Sequence, residues 1–242
     1  MANDKPTADP SADPSSDKLQ AVVDARLKLM QRFHDKMARS PGVADDSPQG
    51  TGGKNRHGMP LIPVGQTQTT KWPILDLGNR PGVTRESFRL VVDGAVARPF
   101  TLDWAGLIAL PQVEDTSDFH CVTTWSRLDL RWQGVGVSTL LAAAGVDDDA
   151  THVLAHGSDH YTTNVPLEEA LKDDVLVAWS VEGAPLPEEH GGPVRMITPQ
   201  LYAWKGSKWL CRLEVLVGDK PGFWEERGYS MSAHPWKNDR YR

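Results

Sequence analysis

Glycine and proline recur so often from residue 61 onward that the chain has room only for short strands, short helices and loops. Segments that alternate or run apolar between these breaks predict strands, and "TLDWAGLIALP" (101–111) and "VSTLLAAAG" (137–145) predict short helices. The predicted strands are "SFRLVVDG" (87–94), "VEDTSDFHCVT" (113–123), "THVLAHG" (151–157), "DVLVAWSVEG" (174–183), "GPVRMITP" (192–199) and "KWLCRLEVLVG" (208–218). Such a mixture predicts one α+β domain.

Bulk composition narrows the classes of protein that this chain can belong to. With 39% hydrophobic and 24% charged residues in 242, a folded globular protein is expected. A net charge of -6 argues against a nucleic-acid binder that relies on neutralising phosphates. No run approaches the roughly 18 apolar residues of a membrane span. The first residues show neither an apolar signal core nor paired arginines, so a cytoplasmic location is predicted.

The composition of the N-terminal 60 residues differs from that of the rest of the chain and predicts a separate arm. Residues 1–16 are rich in Asp, Pro, Ser and Ala and predict disorder. A helix is predicted over about 17–39, with Asp17 as its N-cap and an apolar stripe that docks on the main body or binds a partner. Residues 40–60 are again rich in Pro and Gly. The predicted division is therefore an arm, 1–60, and a domain, 61–242.

Cys121 lies in the unusual stretch "DFHCVTTWS" (118–126), where polar residues surround a cysteine. Four interpretations are open: a nucleophile with His120 as its base, a zinc ligand, the single soft ligand of a metal whose other ligands come from a cofactor, and an inert buried thiol. Two isolated cysteines are too few for a structural zinc site. Cys211 shares a strand face with Leu213 and Val215, which predicts an ordinary core thiol.

A second polar segment, "HGGPVRMITPQLYAWKGSKW" (190–209), places four basic residues around glycine turns: His190, Arg195, Lys205 and Lys208. Basic side chains with accessible backbone N–H groups are what an anionic ligand such as a phosphate requires. Simple solvation of these basic groups is the alternative interpretation.

Taken in order, several long motifs resemble the molybdopterin-binding domain of the sulfite oxidase family, and most closely its bacterial stand-alone members. They are "FRLVVDG", "ALPQVE", "HCVTTWS", "RWQGVGVSTLL", "YTTNVPLEEAL", "HGGPVRMITPQLYAWKGSKW" and "GFWEERGY". The resemblance runs from about residue 61 to the end. It implies an α+β fold of the sulfite oxidase type and a bound molybdenum cofactor, Mo-molybdopterin.

Site residues follow from the resemblance position by position. It implies that Cys121 is catalytic and is the one protein ligand of molybdenum. It also implies cofactor contacts at Leu75, Asp76, Asp159, His190, Arg195, Gly206, Ser207 and Lys208. Within this set, the resemblance places the pterin phosphate at Arg195 and Lys208.

The function that the resemblance implies is that of a molybdenum-dependent oxidoreductase. We expect oxygen-atom transfer to or from a small S- or N-oxide type substrate, with a separate redox partner for electrons. No nucleic-acid partner is expected. The alternatives are a carrier or assembly protein that binds molybdopterin without turnover, and a scaffold that has lost the metal.

Overall fold

A computed structural model describes residues 14–39 and 47–242, and contacts along the chain divide them into two units. One unit contains 14–39 together with Asp76–Asn79, and the other contains 47–75 together with Arg80–Arg242. The disorder predicted for residues 1–16 falls on 1–13 outside the described ranges, whereas 14–16 are helical; of the Pro- and Gly-rich segment 40–60, residues 40–46 also lie outside. The predicted boundary between arm and domain at residue 60 remains a prediction.

The smaller unit is built on one long helix, α1 (Pro14–Arg39). It begins three residues before the predicted N-cap, so Asp17 lies in the first turn. A carboxylate there still interacts favourably with the positive end of the helix dipole. Hydrogen bonds between side chains four residues apart support the exposed surface, at 2.7 Å from Gln20 to Asp24 and 3.0 Å from Gln31 to Asp35. The Asp76 carboxylate accepts a hydrogen bond from the Gly78 N–H at 3.0 Å.

Short strands make up most of the larger unit, as the frequent glycine and proline residues predict. The helices are α2 (Trp104–Ala109), α3 (Val137–Ala144) and α4 (Leu167–Ala170). The strands are β1 (Gly50–Lys54), β2 (Pro60–Pro63), β3 (Thr67–Gln68), β4 (Leu90–Gly94), β5 (Phe100–Leu102), β6 (Val113–Cys121), β7 (Trp125–Gly136), β8 (His152–Gly157), β9 (Thr162–Pro166), β10 (Leu176–Val181), β11 (Ala184–Pro185), β12 (Arg195–Ile197) and β13 (Leu210–Leu216). The α+β class is therefore confirmed.

Two sheets organise this unit, and a β1–β2 hairpin accompanies them. The first sheet has the order β5-β4-β13-β8-β9, and only its β4–β13 pair is parallel. The second runs β11-β10-β7-β3, with β12 also paired to β10 and β6 to β7. The antiparallel β6–β7 hairpin sets the position of the cysteine motif, because Cys121 is the last residue of β6 and pairs with Trp125.

The main core lies under the first sheet and α3. Buried apolar side chains from strands and helix meet there, including Phe88, Leu90, Val92, Leu140, Leu141, Val153, Leu213 and Val215. Each such side chain contributes roughly 1.5–3 kcal/mol when it is fully buried. Cys211 is only half-buried rather than a full core thiol, and its Sγ lies 3.4 Å from the His156 carbonyl oxygen. The core fixes β13 and, directly before it, the 206–208 turn.

Candidate cofactor site

Cys121 closes a tight turn between β6 and β7. The Thr124 N–H donates to the Cys121 carbonyl at 3.1 Å, and Thr124 takes a φ of 78°, a left-handed conformation that non-glycine residues adopt at some cost. The thiol is buried, and its Sγ lies 3.1 Å from the Thr123 hydroxyl. The sulfur therefore lies in a polar turn that is largely buried.

The strand β3 holds this turn from one side. The Gln66 side-chain N–H donates to the Cys121 carbonyl oxygen at 3.1 Å. The Thr67 N–H donates to the Thr124 carbonyl oxygen at 2.9 Å, at the start of the parallel β3–β7 pair. Both ends of the cysteine turn are thus fixed by hydrogen bonds to their backbone carbonyl groups.

Arg240 holds the turn from the other side. This guanidinium is buried and donates to the carbonyl oxygen of Val122, to that of Gly65 at 3.3 Å and to the Asn238 side chain at 2.8 Å. It also lies 4.9 Å from the centre of the Tyr202 ring. Arg240 could not be identified from the sequence, because nothing in the local pattern of the tail marks a contact with residue 122.

His120 faces away from the thiol, as the alternation of a strand predicts. Its Nδ1 lies 2.8 Å from the Ser126 hydroxyl, and burial lowers its pKa to about 3. A histidine held neutral and bonded to Ser126 gives no support to the interpretation of His120 as the base of a nucleophilic Cys121.

Arg195 is the central cation of the second polar segment. It lies on β12, is 2% exposed, and donates to the His190 carbonyl oxygen at 3.0 Å and to the Gly206 carbonyl oxygen at 3.2 Å. Burial lowers its pKa to about 10, so the group stays charged at neutral pH. Its guanidinium carbon lies 5.2 Å from the centre of the Phe119 ring, two residues before Cys121 on β6. Arg195 therefore ties the two glycine turns to the strand that carries the cysteine.

His190 ends a short 3-10 helix (Glu188–His190) and is 8% exposed. Its ring stacks on Trp72 with 3.7 Å between ring centres and 4° between planes. Burial, and then the charges of Arg195 and Lys208, lower its pKa to about 4. In the part of the chain that the structure describes, neither ring nitrogen has a hydrogen-bond partner. A neutral imidazole with one donor and one acceptor is thus available to a ligand.

Glycines bring the remaining predicted residues close to His190. Gly191 has a φ of 103°, and a Cβ there would lie 2.9 Å from the Lys208 Cα. The Lys208 ammonium donates to the Glu189 carbonyl oxygen at 2.6 Å. At Gly157 a Cβ would lie 2.5 Å from the Asp159 carboxylate and 3.0 Å from the Ser207 hydroxyl. These turns can pack this closely only because they lack side chains.

Most of the predicted cofactor residues are therefore brought together, namely Asp159, His190, Arg195, Gly206, Ser207 and Lys208. Leu75 and Asp76 are not shown to join them, since Asp76 belongs to the unit of α1 and Leu75 is the residue before it. Lys205 departs from the expected anion-binding role. It is fully buried and pairs with Glu225 at 2.7 Å and with the Asn164 side-chain oxygen at 2.5 Å.

These residues fit a pterin that carries a phosphate. The unpartnered ring nitrogens of His190 suit a heterocycle with hydrogen-bonding edges, and Arg195 and Lys208 supply positive charge for a phosphate. The close approach of the glycine turns keeps Asp159, Ser207 and Lys208 near one another.

Comparison with known proteins also indicates a molybdopterin-binding domain. A family model described as oxidoreductase molybdopterin binding domain matches residues 77–224. The chain is 40% identical over 181 residues to "Uncharacterized oxidoreductase YuiH" of Bacillus subtilis, covering 74% of this chain and 91% of that protein. It is 29% identical to "Protein-methionine-sulfoxide reductase catalytic subunit MsrP" of Gluconobacter oxydans, covering 60% and 54%. Human mitochondrial sulfite oxidase is 33% identical, covering 62% and 33%.

A solved structure shares the fold. The sulfane dehydrogenase SoxCD of Paracoccus pantotrophus gives a TM-score of 0.52 at 24% identity, covering 56% of this chain and 40% of that one. The chain spans about a third of human sulfite oxidase and about half of MsrP. The family match covers more than half of this chain, and the Bacillus relative is matched over most of its length. The chain therefore belongs to the oxidoreductase molybdopterin-binding domain family and is a molybdopterin oxidoreductase of the sulfite oxidase type.

Proposed function

We propose that the protein transfers an oxygen atom to or from a small S- or N-oxide type substrate, with Cys121 as the protein ligand of molybdenum. The observation that carries the proposal is the setting of Cys121. A buried thiol closes a polar turn that hydrogen bonds fix on two sides, and the strand that bears it also contacts Arg195 through Phe119. Relatives named as methionine sulfoxide reductase and sulfite oxidase support a substrate with oxidised or oxidisable sulfur.

Charged side chains and the residues that line the pocket would both contribute to cofactor binding. Arg195 and Lys208 would hold the phosphate through charge-assisted hydrogen bonds, which are about twice as strong as neutral ones. The neutral ring of His190 would meet a polar edge of the pterin through a nitrogen. Asp159 and Ser207 both lie close to Gly157 and would line the same pocket.

At the cysteine, the chain's task would be to hold the sulfur. When bound, the cofactor supplies two-electron redox chemistry linked to oxygen transfer. The Thr123 hydroxyl lies within hydrogen-bonding distance of Sγ and would donate to the thiolate. Gln66 and Arg240 hold the carbonyl oxygens of Cys121 and Val122, and they thereby keep the direction of the sulfur fixed.

The partners of this reaction are part of the same proposal. A small-molecule substrate would enter the pocket, and a separate redox partner would exchange electrons with the protein. We propose the cytoplasm as its compartment, where the free thiols of Cys121 and Cys211 would stay reduced. None of the helices within 14–39 and 47–242 is long and apolar enough to cross a membrane.

Replacement of the two cysteines tests the metal assignment. Cys121→Ser exchanges a soft thiolate for a hard hydroxyl, so we expect the sulfur-to-metal charge-transfer absorption and the turnover of S-oxides to be lost. Pterin content should be retained, because Arg195 and Lys208 are unchanged. Cys211→Ser is the matched control, since its thiol is half-buried on β13 and lies against the His156 carbonyl oxygen of the neighbouring strand β8.

The outcomes separate the candidate functions. An unchanged spectrum in Cys121→Ser would show that this cysteine is not the ligand. A wild-type protein that holds both metal and pterin but turns over no S-oxide, N-oxide or sulfite would favour the carrier without turnover. A wild-type protein without metal would favour the scaffold.

A further inference from the structure

Trp72 lies in the segment between β3 and residue 75, before the range 77–224 that the family model matches. Its indole covers one face of the His190 ring, at 3.7 Å and with the two planes only 4° apart. A parallel contact this close leaves no space for another group on that face.

Two further aromatic rings fix the plane of the indole itself. Trp72 meets the Phe119 ring edge-on at 5.8 Å and 73°, and the Trp132 ring at 5.7 Å and 80°. Phe119 and Trp132 belong to the β6–β7 hairpin, whose turn carries Cys121. The Arg127 guanidinium lies 5.4 Å from the indole centre. The hairpin therefore sets the plane of Trp72, and Trp72 sets the plane of His190.

The covered face determines how His190 can meet a ligand. With one face against the indole, the ring can offer its nitrogens at the edge, and neither nitrogen has a partner within the described ranges. Free rotation about the Cβ–Cγ bond would otherwise spread those nitrogens over many directions.

We propose that Trp72 is a positioning residue for the pterin, holding the His190 ring in the one plane from which a ring nitrogen hydrogen-bonds to it. This inference rests on the proposed assignment of His190 as a cofactor contact. Phenylalanine at position 72 would preserve a flat stacking surface, whereas leucine would preserve apolar volume without one. The pair therefore separates stacking from simple packing.

Trp104 provides a matched control. It is also a half-buried tryptophan with edge-on aromatic neighbours, Phe88 and Trp179, and a guanidinium from Arg85 at 4.5 Å. None of these neighbours belongs to the proposed cofactor contacts. Trp104→Leu should therefore reproduce the packing loss of Trp72→Leu without its effect on the pterin.

The first measurement uses cofactor-free protein with isotope-labelled histidine, in which the His190 signal is identified by its loss in His190→Gln. We expect the ring C–H resonances of His190 to be shifted upfield by the stacked indole, to lose that shift in Trp72→Leu, and to keep it in Trp104→Leu. The second measurement is pterin released per chain after dialysis of protein from a molybdopterin-making host. A stacked pair is worth about 0.5–1.5 kcal/mol, so Trp72→Leu should weaken retention roughly two- to tenfold, with Trp72→Phe close to wild type.

Each outcome bears on one statement. Unchanged His190 resonances in Trp72→Leu, or equal pterin loss in Trp72→Phe and Trp72→Leu, would overturn the positioning role. Full retention in Trp72→Leu alongside a loss in Arg195→Ala would overturn this inference alone. Full retention in both Trp72→Leu and Arg195→Ala would instead overturn the site assignment on which it rests.

Discussion

Arg195 shows how a single residue prepares the site for an anion. The fold buries its charge almost completely, and three backbone carbonyl oxygens, from His190, Met196 and Gly206, compensate only part of the lost hydration. Burial accordingly lowers its pKa, to about 10. A phosphate would supply the negative charge that these neutral carbonyls lack, so the residue gains most when the ligand is bound.

Replacement of Arg195 should therefore reduce cofactor content. Hydrogen bonds to charged groups are worth about 1.5–3 kcal/mol, so we expect Arg195→Ala to lower molybdenum and pterin per chain by roughly ten- to a hundredfold. Arg195→Lys should recover part of the loss, because it keeps the charge without the planar fork. Arg131→Ala is the control, since that side chain is 68% exposed and pairs with Glu182 on the surface. Equal content in Arg195→Ala and Arg131→Ala would contradict the assignment.

The lowered pKa of His190 predicts that the stability of the folded protein depends on pH. Its pKa in the folded protein, about 4, lies below the ordinary value of 6.5, so the unfolded chain takes up the proton first. The contribution is complete above about pH 6.5 and is lost as the pH falls towards 4. It amounts to on the order of 3 kcal/mol. We expect His190→Asn to flatten the decrease of the urea midpoint between pH 7 and pH 4.5 in cofactor-free protein.

Exposed His160 is the matched position for this test. It takes a φ of 66°, which asparagine tolerates well, so His160→Asn should leave the pH dependence as in wild type. A wild-type slope in His190→Asn would show that His190 is not held neutral by the fold.

Among the structural elements, turns rather than whole strands determine the shape of the proposed cofactor pocket. The turn after the 3-10 helix Glu188–His190 and the turn before β13 approach each other so closely that Gly191 lies against the backbone of Lys208. The main core fixes β13, and Arg195 fastens β12 to both turns. The pocket therefore depends on its glycines as much as on its charged residues.

The glycine at 191 can be tested against a glycine with a similar backbone conformation and open space around it. Gly183 has a φ of 74°, and a Cβ at that position would meet no atom within 4 Å. Gly183→Ala should therefore cost only the left-handed strain, about 1–2 kcal/mol. Gly191→Ala adds contacts at 2.8 Å and 2.9 Å with Lys208 Cβ and Cα and must displace that residue. We expect a larger loss of thermal stability in Gly191→Ala, and lower pterin retention in that variant alone. Equal pterin retention in both variants would contradict a role for the close approach.

Elements that carry a local pattern could be predicted from the sequence, and contacts that join distant segments could not. The cysteine strand β6 and the strand β12 fall inside predicted segments, because alternation and glycine or proline breaks mark both. The ion pair of Lys205 could not be predicted, because its partner Glu225 lies 20 residues further along the chain and periodicity says nothing of such a pair. Arg240 and Val122 are 118 residues apart, and Trp72 stacks on His190, which lies in a different segment of the chain. Neither contact could be predicted from a local pattern.

At the scale of the whole molecule, the N-terminal region is divided between the two units. The helix α1 groups with Asp76–Asn79, a segment that interrupts the larger unit in sequence. Residues 47–60, assigned to the arm, group with the larger unit, where Arg56 forms two hydrogen bonds with Asp115 at 2.5 Å and 2.9 Å. The N-terminal region therefore contributes to both units.

Deletion of the N-terminal residues tests what α1 does for the segment 76–79. Removal of 1–42 takes away the helix with which Asp76 groups, so we expect a lower midpoint of thermal unfolding. Removal of 1–13 should not change the midpoint, because a stretch of that composition cannot bury a core. The measurement is differential scanning calorimetry. Two truncations that behave alike would contradict the expected role of the helix.

The hydrogen bond from Arg240 to Val122 has a consequence for the order in which the protein is made. A nascent chain that has reached residue 216 already contains every strand of both sheets, but not the guanidinium that fastens the cysteine turn. Contacts between residues far apart in sequence form late, because a long loop must close first. The cysteine turn therefore acquires this hydrogen bond only after every strand of both sheets has been synthesised.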